Sequence, residues 1–161
     1  MGRDDARLFD ALARAALLKI SGFNEQALAN TAWAFAKVGR DDARLFDALA
    51  RAALLKISGF NEQNLANTAW AFATVGRDDA RLFDALANGA LLKISSFNEQ
   101  ALANTAWAFA KVGRHDLRLL MLWQKAAMRK ISGFSEQNLA NTAWAFATVD
   151  RGTRGSLILW Q

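Results

Sequence analysis

Cysteine, proline and tyrosine are absent from this chain of 161 residues, and histidine occurs once, at His115. Without cysteine there can be no disulfide framework and no zinc site built on thiolates. One histidine cannot supply a histidine cluster for a metal, so we expect no metal and no other cofactor. No apolar run approaches the roughly 20 residues that a membrane-spanning helix needs, and we therefore expect no membrane partner.

The surplus of positive charge is small and lies near one end of the chain. Twenty Lys and Arg stand against 15 Asp and Glu, which gives a net charge of +5. The excess is concentrated in Arg114, Arg118, Lys125, Arg129 and Lys130. This bias is compatible with a polyanionic partner, but it falls short of the clustered patch that would indicate nucleic acid on its own.

A period of 37 residues runs through the sequence, most visibly in Trp33, Trp70, Trp107 and Trp144. It divides the chain into four full repeats and a partial fifth, at 2–38, 39–75, 76–112, 113–149 and 150–161. One repeat of this length cannot bury its own apolar face, whereas stacked copies can. The period therefore indicates a single helical-repeat domain over residues 1–161.

Each repeat predicts two helices, here called A and B. In the second repeat, Asp41 and Asp42 provide an N-cap and an acidic first turn for a helix A that runs from about Asp42 to Lys56. Helix B follows its N-cap Asn61 and ends before Gly76, since glycine suits the position just beyond a helix. The pattern predicts an all-α fold, an α-solenoid of helix–turn–helix repeats.

Charged side chains recur at two places on helix A. Arg44, Asp47 and Arg51 are spaced three and four residues apart, which predicts a solvated row of ion pairs along one helix. A lysine recurs near the end of helix A, at Lys19, Lys56, Lys93 and Lys130. Either the helix dipole or a phosphate of a bound ligand accounts for a cation there.

Helix B carries a polar row that packing does not require, in which Gln, Asn, Trp and then Lys or Thr follow one another at steps of four, three and four residues. Stacked repeats would place these rows side by side as one ribbon. Amides, hydroxyls, cations and aromatic planes are the groups that recognise single-stranded nucleic acid. Asn64 and Asn138, which lie next to this row in the second and fourth repeats, are added to it. The candidate RNA-binding residues are Gln26, Asn30, Lys37, Gln63, Asn64, Asn67, Thr74, Gln100, Asn104, Lys111, Gln137, Asn138, Asn141 and Thr148.

Each of these features also has a purely structural interpretation. The recurring Asn would equally satisfy the backbone of a neighbouring repeat, and the Gln in the first turn would serve as a cap. We expect the Trp row to belong mainly to the core. Two positions alternate between odd and even repeats, Ala27 with Asn64 and Lys37 with Thr74, and this fits either a recognition code or duplication of a two-repeat unit.

Residues 63–76 read Gln-Asn-Leu-Ala-Asn-Thr-Ala-Trp-Ala-Phe-Ala-Thr-Val-Gly, and close copies occupy 26–39, 100–113 and 137–150. This run resembles the signature of octotricopeptide repeats, of the related heptatricopeptide repeats and of the arrays that precede RAP domains. The resemblance implies an RNA-binding solenoid of a chloroplast or mitochondrion, which reads about one nucleotide per repeat. It further implies a role in RNA stability, processing or translation. The absence of proline and of a RAP domain departs from that pattern.

The function we expect is therefore sequence-selective binding of single-stranded RNA, without enzyme activity, because no nucleophile–base pair or phosphate-cradling loop is evident. A protein-interaction scaffold and an excised or consensus-like array are the alternatives. The apolar segment 157–160 also predicts end-to-end self-association.

Overall fold

The computed structural model describes residues 3–158, and the side chains of residues 5–151. Within this part of the chain there are eight α-helices and no strand, so the all-α prediction is confirmed. The A helices are α1 (Arg3–Lys19), α3 (Ala43–Lys56), α5 (Ala80–Lys93) and α7 (Leu117–Lys130), and the B helices are α2 (Glu25–Lys37), α4 (Glu62–Thr74), α6 (Glu99–Lys111) and α8 (Glu136–Ile158). A short 3₁₀ turn follows each A helix. None of the described helices is both long and apolar enough to cross a membrane.

The helices begin at the caps that the sequence predicts. The side chain of Asp42 accepts a hydrogen bond from the backbone N–H of Leu45 at 3.0 Å. That of Asn61 accepts one from Asn64 at 2.8 Å. In the fourth repeat Ser135 replaces the Asn and still accepts from the N–H of Asn138, at 3.1 Å. Each cap satisfies a backbone donor that the first helical turn leaves unpaired.

Glycine ends the first three B helices. Gly39, Gly76 and Gly113 have φ of 73°, 74° and 73°, a left-handed conformation that side chains with a Cβ disfavour. Beyond Gly76, the N–H of Arg77 reaches the carbonyl of Phe72 at 2.8 Å, which closes a Schellman motif.

Asp150 stands where a fourth such glycine would be, and α8 continues without interruption to Ile158. The expected fifth unit, 150–161, is therefore not a separate helix over residues 150–158, because the residue that would stop helix B is missing. Residues 159–161, and the side chains of the apolar segment 157–160, lie outside the described part of the chain.

Consecutive B helices make the most extensive contacts in the molecule, α2 with α4, α4 with α6 and α6 with α8. Each of the first three B helices also packs against the A helix of the next repeat, and this stacking confirms the solenoid. Within the first three repeats a phenylalanine of helix A meets one of helix B edge to face, as Phe46 meets Phe72 with ring centroids 5.1 Å apart. In the fourth repeat Leu120 takes the phenylalanine position, and Trp123 fills the space against Phe146 at 4.9 Å.

Charged side chains of the A layer connect one repeat to the next, and the prediction of a row within one helix was wrong. Asp47 pairs with Arg77 of the following repeat, which also reaches Asp41. Arg114 bridges Asp78 at 3.1 Å and Asp84 at 2.8 Å in the same way. The arginine just after each glycine turn points back to the previous A helix, so these pairs fix the register between repeats.

The recurring lysine at the end of helix A has a structural partner. The ammonium groups of Lys56, Lys93 and Lys130 donate to the backbone carbonyls of Phe23, Phe60 and Phe97 in the preceding repeat. Three of the four lysines are thus engaged with the backbone of the protein. This supports the structural interpretation of these lysines over contact with a phosphate.

Candidate functional site

The polar row of helix B lies on one face of the array. We call this face the B ribbon and define it by Gln26, Asn30, Trp33 and Lys37 with their counterparts one, two and three periods later. All four Gln are exposed, and so are Asn30, Lys37, Thr74 and Lys111. Gln63 and Thr74 are thus not buried between repeats, and the row lies at the surface of the array.

The B ribbon is concave. A groove of about 460 Å³ is lined by Trp33 and Lys37 of the first repeat and also by Gln137 and Asn141 of the fourth. Side chains three repeats apart can border one depression only if the array curves toward this face. The closer packing of the B helices than of the A helices produces that curvature.

A second groove lies further toward the start of the B helices and has a volume of about 390 Å³. We call it the inner groove. It shares Trp33, Gln100 and Asn104 with the first groove and adds polar groups of the first three repeats. Its lining residues are Asn30, Trp33, Glu62, Gln63, Ala66, Asn67, Asn98, Gln100, Ala101 and Asn104.

The asparagines of the B ribbon have no structural task in the described part of the chain. No hydrogen bond there involves the side-chain amide of Asn30, Asn67, Asn104 or Asn141, and the helix caps are other residues, Asn24, Asn61, Asn98 and Ser135. The interpretation that these amides satisfy a neighbouring backbone therefore has no contact to support it. Asn30 is exposed and the other three asparagines are half-buried, and amides without an internal partner, which both donate and accept, are available to a ligand.

The tryptophans form two ring pairs along the B ribbon. Trp33 and Trp70 lie with ring centroids 6.3 Å apart, and Trp107 and Trp144 with centroids 6.4 Å apart. Trp70 and Trp107 are half-buried, but Trp33 is 40% and Trp144 43% exposed. The expectation of a core row was thus wrong for the outer two rings, because α2 and α8 each have a neighbouring B helix on one side, whereas α4 and α6 have one on both sides. An exposed indole plane can stack on a base.

Positive charge on the B ribbon lies at the end of the B helices of the first and third repeats, α2 and α6. Lys37 and Lys111 are exposed, and the Lys37 ammonium lies 5.9 Å from the centroid of the Trp33 ring. The even repeats have Thr74 and Thr148 there, and the Thr148 hydroxyl donates to the carbonyl of Trp144 at 2.8 Å. The ribbon is therefore rich in amides and poor in cations.

The second alternating position lies beneath the ribbon. Asn64 is buried, with 7% of its surface exposed, and Ala101 is buried as well. Asn138, in the last repeat, is half-buried and lines the larger groove. Asn64 is thus separated from the other candidates, because the close packing of consecutive B helices covers it.

Glu62 and Asn98 line the inner groove although neither belongs to the predicted row. Asn98 is a cap whose side chain accepts from the N–H of Ala101 at 2.8 Å. The sequence did contain a signal for Glu62, namely Ser96, which stands where the other three repeats have Gly22, Gly59 and Gly133. The significance of that substitution depends on contacts between repeats, which a sequence pattern does not show.

A family model described as RNA-editing substrate-binding complex 6 protein matches residues 1–154, which is almost the whole chain. No curated protein matches the sequence significantly. The match supports a helical-repeat protein of an RNA-related family. The resemblance to octotricopeptide and heptatricopeptide repeats stays a prediction.

Proposed function

The chain belongs to the family of RNA-editing substrate-binding complex 6 proteins, and on that premise we propose that its B ribbon binds single-stranded RNA. The observation that carries the proposal is the row of unengaged Asn and Gln amides beside exposed Trp rings, on a concave face that spans four repeats. Amides read base edges, and indole planes stack on bases. In a duplex the Watson–Crick edges of the bases are paired and their faces are stacked, so neither is free to meet such a surface.

The first test compares an asparagine pair of the B ribbon with a single asparagine outside it, in equilibrium binding to a randomised single-stranded RNA pool at fixed salt. Asn67→Ala with Asn104→Ala removes two ribbon amides that make no described hydrogen bond. Each lost hydrogen bond weakens binding by about 1 kcal/mol, so we expect a loss of roughly tenfold or more. Asn88→Ala, on the exposed side of α5, is the matched control. Equal affinity of the ribbon variant and the control would refute the proposal.

The second test concerns phosphate contacts. We propose that Lys37 and Lys111 contact phosphates, because they are the exposed cations of the B ribbon. Replacing both with Ala should reduce the slope of log affinity against log salt by about 1.4, at about 0.7 per contact for single strands. Lys125→Ala, on the exposed outer side of α7, should leave the slope unchanged. An unaltered slope in the double variant would remove these lysines from the interface.

The finer proposal is sequence selectivity at about one nucleotide per repeat, in an organellar RNA whose stability, processing or translation the protein supports. It rests on the resemblance of helix B to octotricopeptide-type repeats. A length series of RNA oligomers tests the stoichiometry, since affinity should stop rising soon after four nucleotides. Selection from a random pool tests selectivity, and crosslinking in cells followed by sequencing tests the transcript class. We further propose that the chain binds RNA without catalysing a reaction on it.

A second candidate function, as a protein-interaction module, is favoured by the N-terminal face of the first repeat. Leu12 is 44% exposed, whereas Leu49, its counterpart in the second repeat, is 1% exposed. Leu12, Phe9 and Phe23 line an apolar groove of about 440 Å³ beside Lys19. We propose that the end of the fourth repeat of a second copy fills this groove, as each repeat covers the next within the chain. Light scattering over a concentration range tests this, with Leu12→Lys expected to yield monomers. A wild-type protein that stays monomeric at every concentration would contradict it.

A further inference from the structure

A glutamate in the first turn of helix B lies over the 3₁₀ turn of the next repeat. A Cβ placed on Gly59 would lie 2.6 Å from Oε1 of Glu25, and one placed on Gly133 would lie 2.8 Å from Oε1 of Glu99. Carbon and oxygen atoms cannot approach so closely without displacement. Glycine in the turn is therefore what gives the carboxylate room at these two junctions.

The junction between the second and third repeats differs, because the turn there ends in Ser96. A serine at this position brings a Cβ to the place where, at Gly59 and Gly133, a Cβ would collide with the carboxylate of the overlying glutamate. Glu62, the equivalent glutamate, lines the inner groove together with Asn30, Asn67 and Asn104. The junction that carries Ser in place of Gly is thus the one whose glutamate lines the inner groove.

We infer that Glu62 is a specificity-determining residue, which accepts a hydrogen bond from the exocyclic amino group of a base in the inner groove. This inference rests on the proposed function. Within the described part of the chain no cation or hydrogen-bond donor engages the Glu62 carboxylate, so its oxygens are free to accept. A phosphate is repelled at this point, whereas the amino group of adenine, cytosine or guanine is attracted. Uracil presents the carbonyl oxygen O4 in place of an amino group and is disfavoured.

The amides around Glu62 complete this assignment. Gln63 is its neighbour in sequence, and Asn98 is held in place by its cap to Ala101. A carboxylate among amides offers one fixed acceptor beside groups that adapt to either donor or acceptor. The cations of the ribbon, Lys37 and Lys111, belong to the opposite ends of the B helices. The strand would therefore lie with its phosphates toward the lysines and its bases toward Glu62.

The experiment measures binding of three eight-nucleotide homopolymers, of adenine, cytosine and uracil, at one salt concentration. For the wild type we expect adenine or cytosine to bind about tenfold more tightly than uracil. Glu62→Gln supplies amide hydrogens that uracil O4 accepts, and should reduce this ratio to near one. Ser96→Gly should reduce it as well, because it restores the space over the turn without altering the ribbon. Glu99→Gln is the matched control and should preserve the wild-type ratio.

The outcomes separate the two proposals. If the wild type binds RNA and Glu62→Gln keeps the wild-type ratio, the role of Glu62 is refuted while RNA binding stands. If the wild type binds none of the three homopolymers and no sequence from a random pool, the proposed function is refuted and the role of Glu62 with it. Circular dichroism of each variant confirms that the helices form.

Discussion

Consecutive B helices pack along their length through small and apolar side chains, whereas consecutive A helices touch less and are joined by charged side chains that cross from one repeat to the next. In the B layer Ala66, Ala69 and Ala73 are buried, and these small residues let the helices approach closely. In the A layer Arg77 and Lys93 reach the preceding repeat from partly exposed positions.

This difference explains why the polar groups of the B ribbon are available. Apolar contacts hold the B layer together from its inner side, so its amides and outer Trp rings are not needed for cohesion. In the A layer, in contrast, a recurring set of charged groups, such as Arg77 and Lys93, is engaged with the preceding repeat. A recurrent polar residue is therefore structural in one layer and a candidate for binding in the other.

The largest expected effect comes from the apolar packing of the B layer. Phe72→Ala removes a ring that is 1% exposed and meets Phe46 edge to face, and should lower the free energy of unfolding by about 3–5 kcal/mol. Trp33→Ala removes a larger ring, but this ring is 40% exposed. The variant should therefore lower the free energy of unfolding clearly less than Phe72→Ala does. Urea denaturation measures both variants. Equal costs would show that the outer Trp rings are as structural as the core.

The architecture could be predicted from the sequence because the features that begin and end each helix are local, and because the repeat period is visible along the chain. Asp42, Asn61 and Gly76 cap or end their helices through contacts within a few residues, and the 37-residue period requires stacking. The continuation of α8 was accessible in principle, since Asp150 replaces the glycine. Residues 150–161 were instead predicted to begin a new repeat, because their last residues match the period weakly.

The partners of charged residues were not accessible, because they lie in another repeat. Asp47 is near Arg44 and Arg51 in sequence, yet it pairs with Arg77, 30 residues away. Spacing likewise placed Trp33 and Trp70 at equivalent positions, although one is exposed and the other half-buried. The candidate site was predicted as a row of residues on a concave face, but the burial of Asn64 and the presence of Glu62 depend on how the repeats stack.

An intermediate effect is expected from the lysine contacts of the A layer. Lys93→Met keeps the aliphatic stem but removes the ammonium that donates to the carbonyl of Phe60. It should lower the free energy of unfolding by about 1.5 kcal/mol, the lower end of the range for a charged hydrogen bond, because Lys93 is partly exposed. Lys19→Met is the matched control, because Lys19 occupies the same position in the first repeat and is exposed. Thermal melts at matched pH compare the two. If Lys19→Met lowers the stability as much as Lys93→Met does, the loss comes from the interaction of the lysine with the helix dipole and not from the contact between repeats.

The smallest effect is expected from the ion pairs that cross the A layer. Arg77 lies between Asp41 and Asp47, and its side chain is 23% exposed, but the two carboxylates are 47% and 57% exposed. Water and salt screen such pairs, so each contributes about 0.2–1 kcal/mol. Arg77→Gln loses both pairs and should therefore destabilise by about 1 kcal/mol, the sum of two contributions in the lower half of this range, and the loss should shrink further in high salt. A double-mutant cycle with Asp47→Asn isolates the pair from the other contacts of Arg77. Arg44→Gln, an exposed arginine of the same layer, serves as the control. A coupling that persists undiminished in high salt would mean that Arg77 stabilises the junction by packing over the Phe46 ring, 6.0 Å from its guanidinium. The A layer would then also be held together partly by packing, and the two layers would differ only in how much packing contributes.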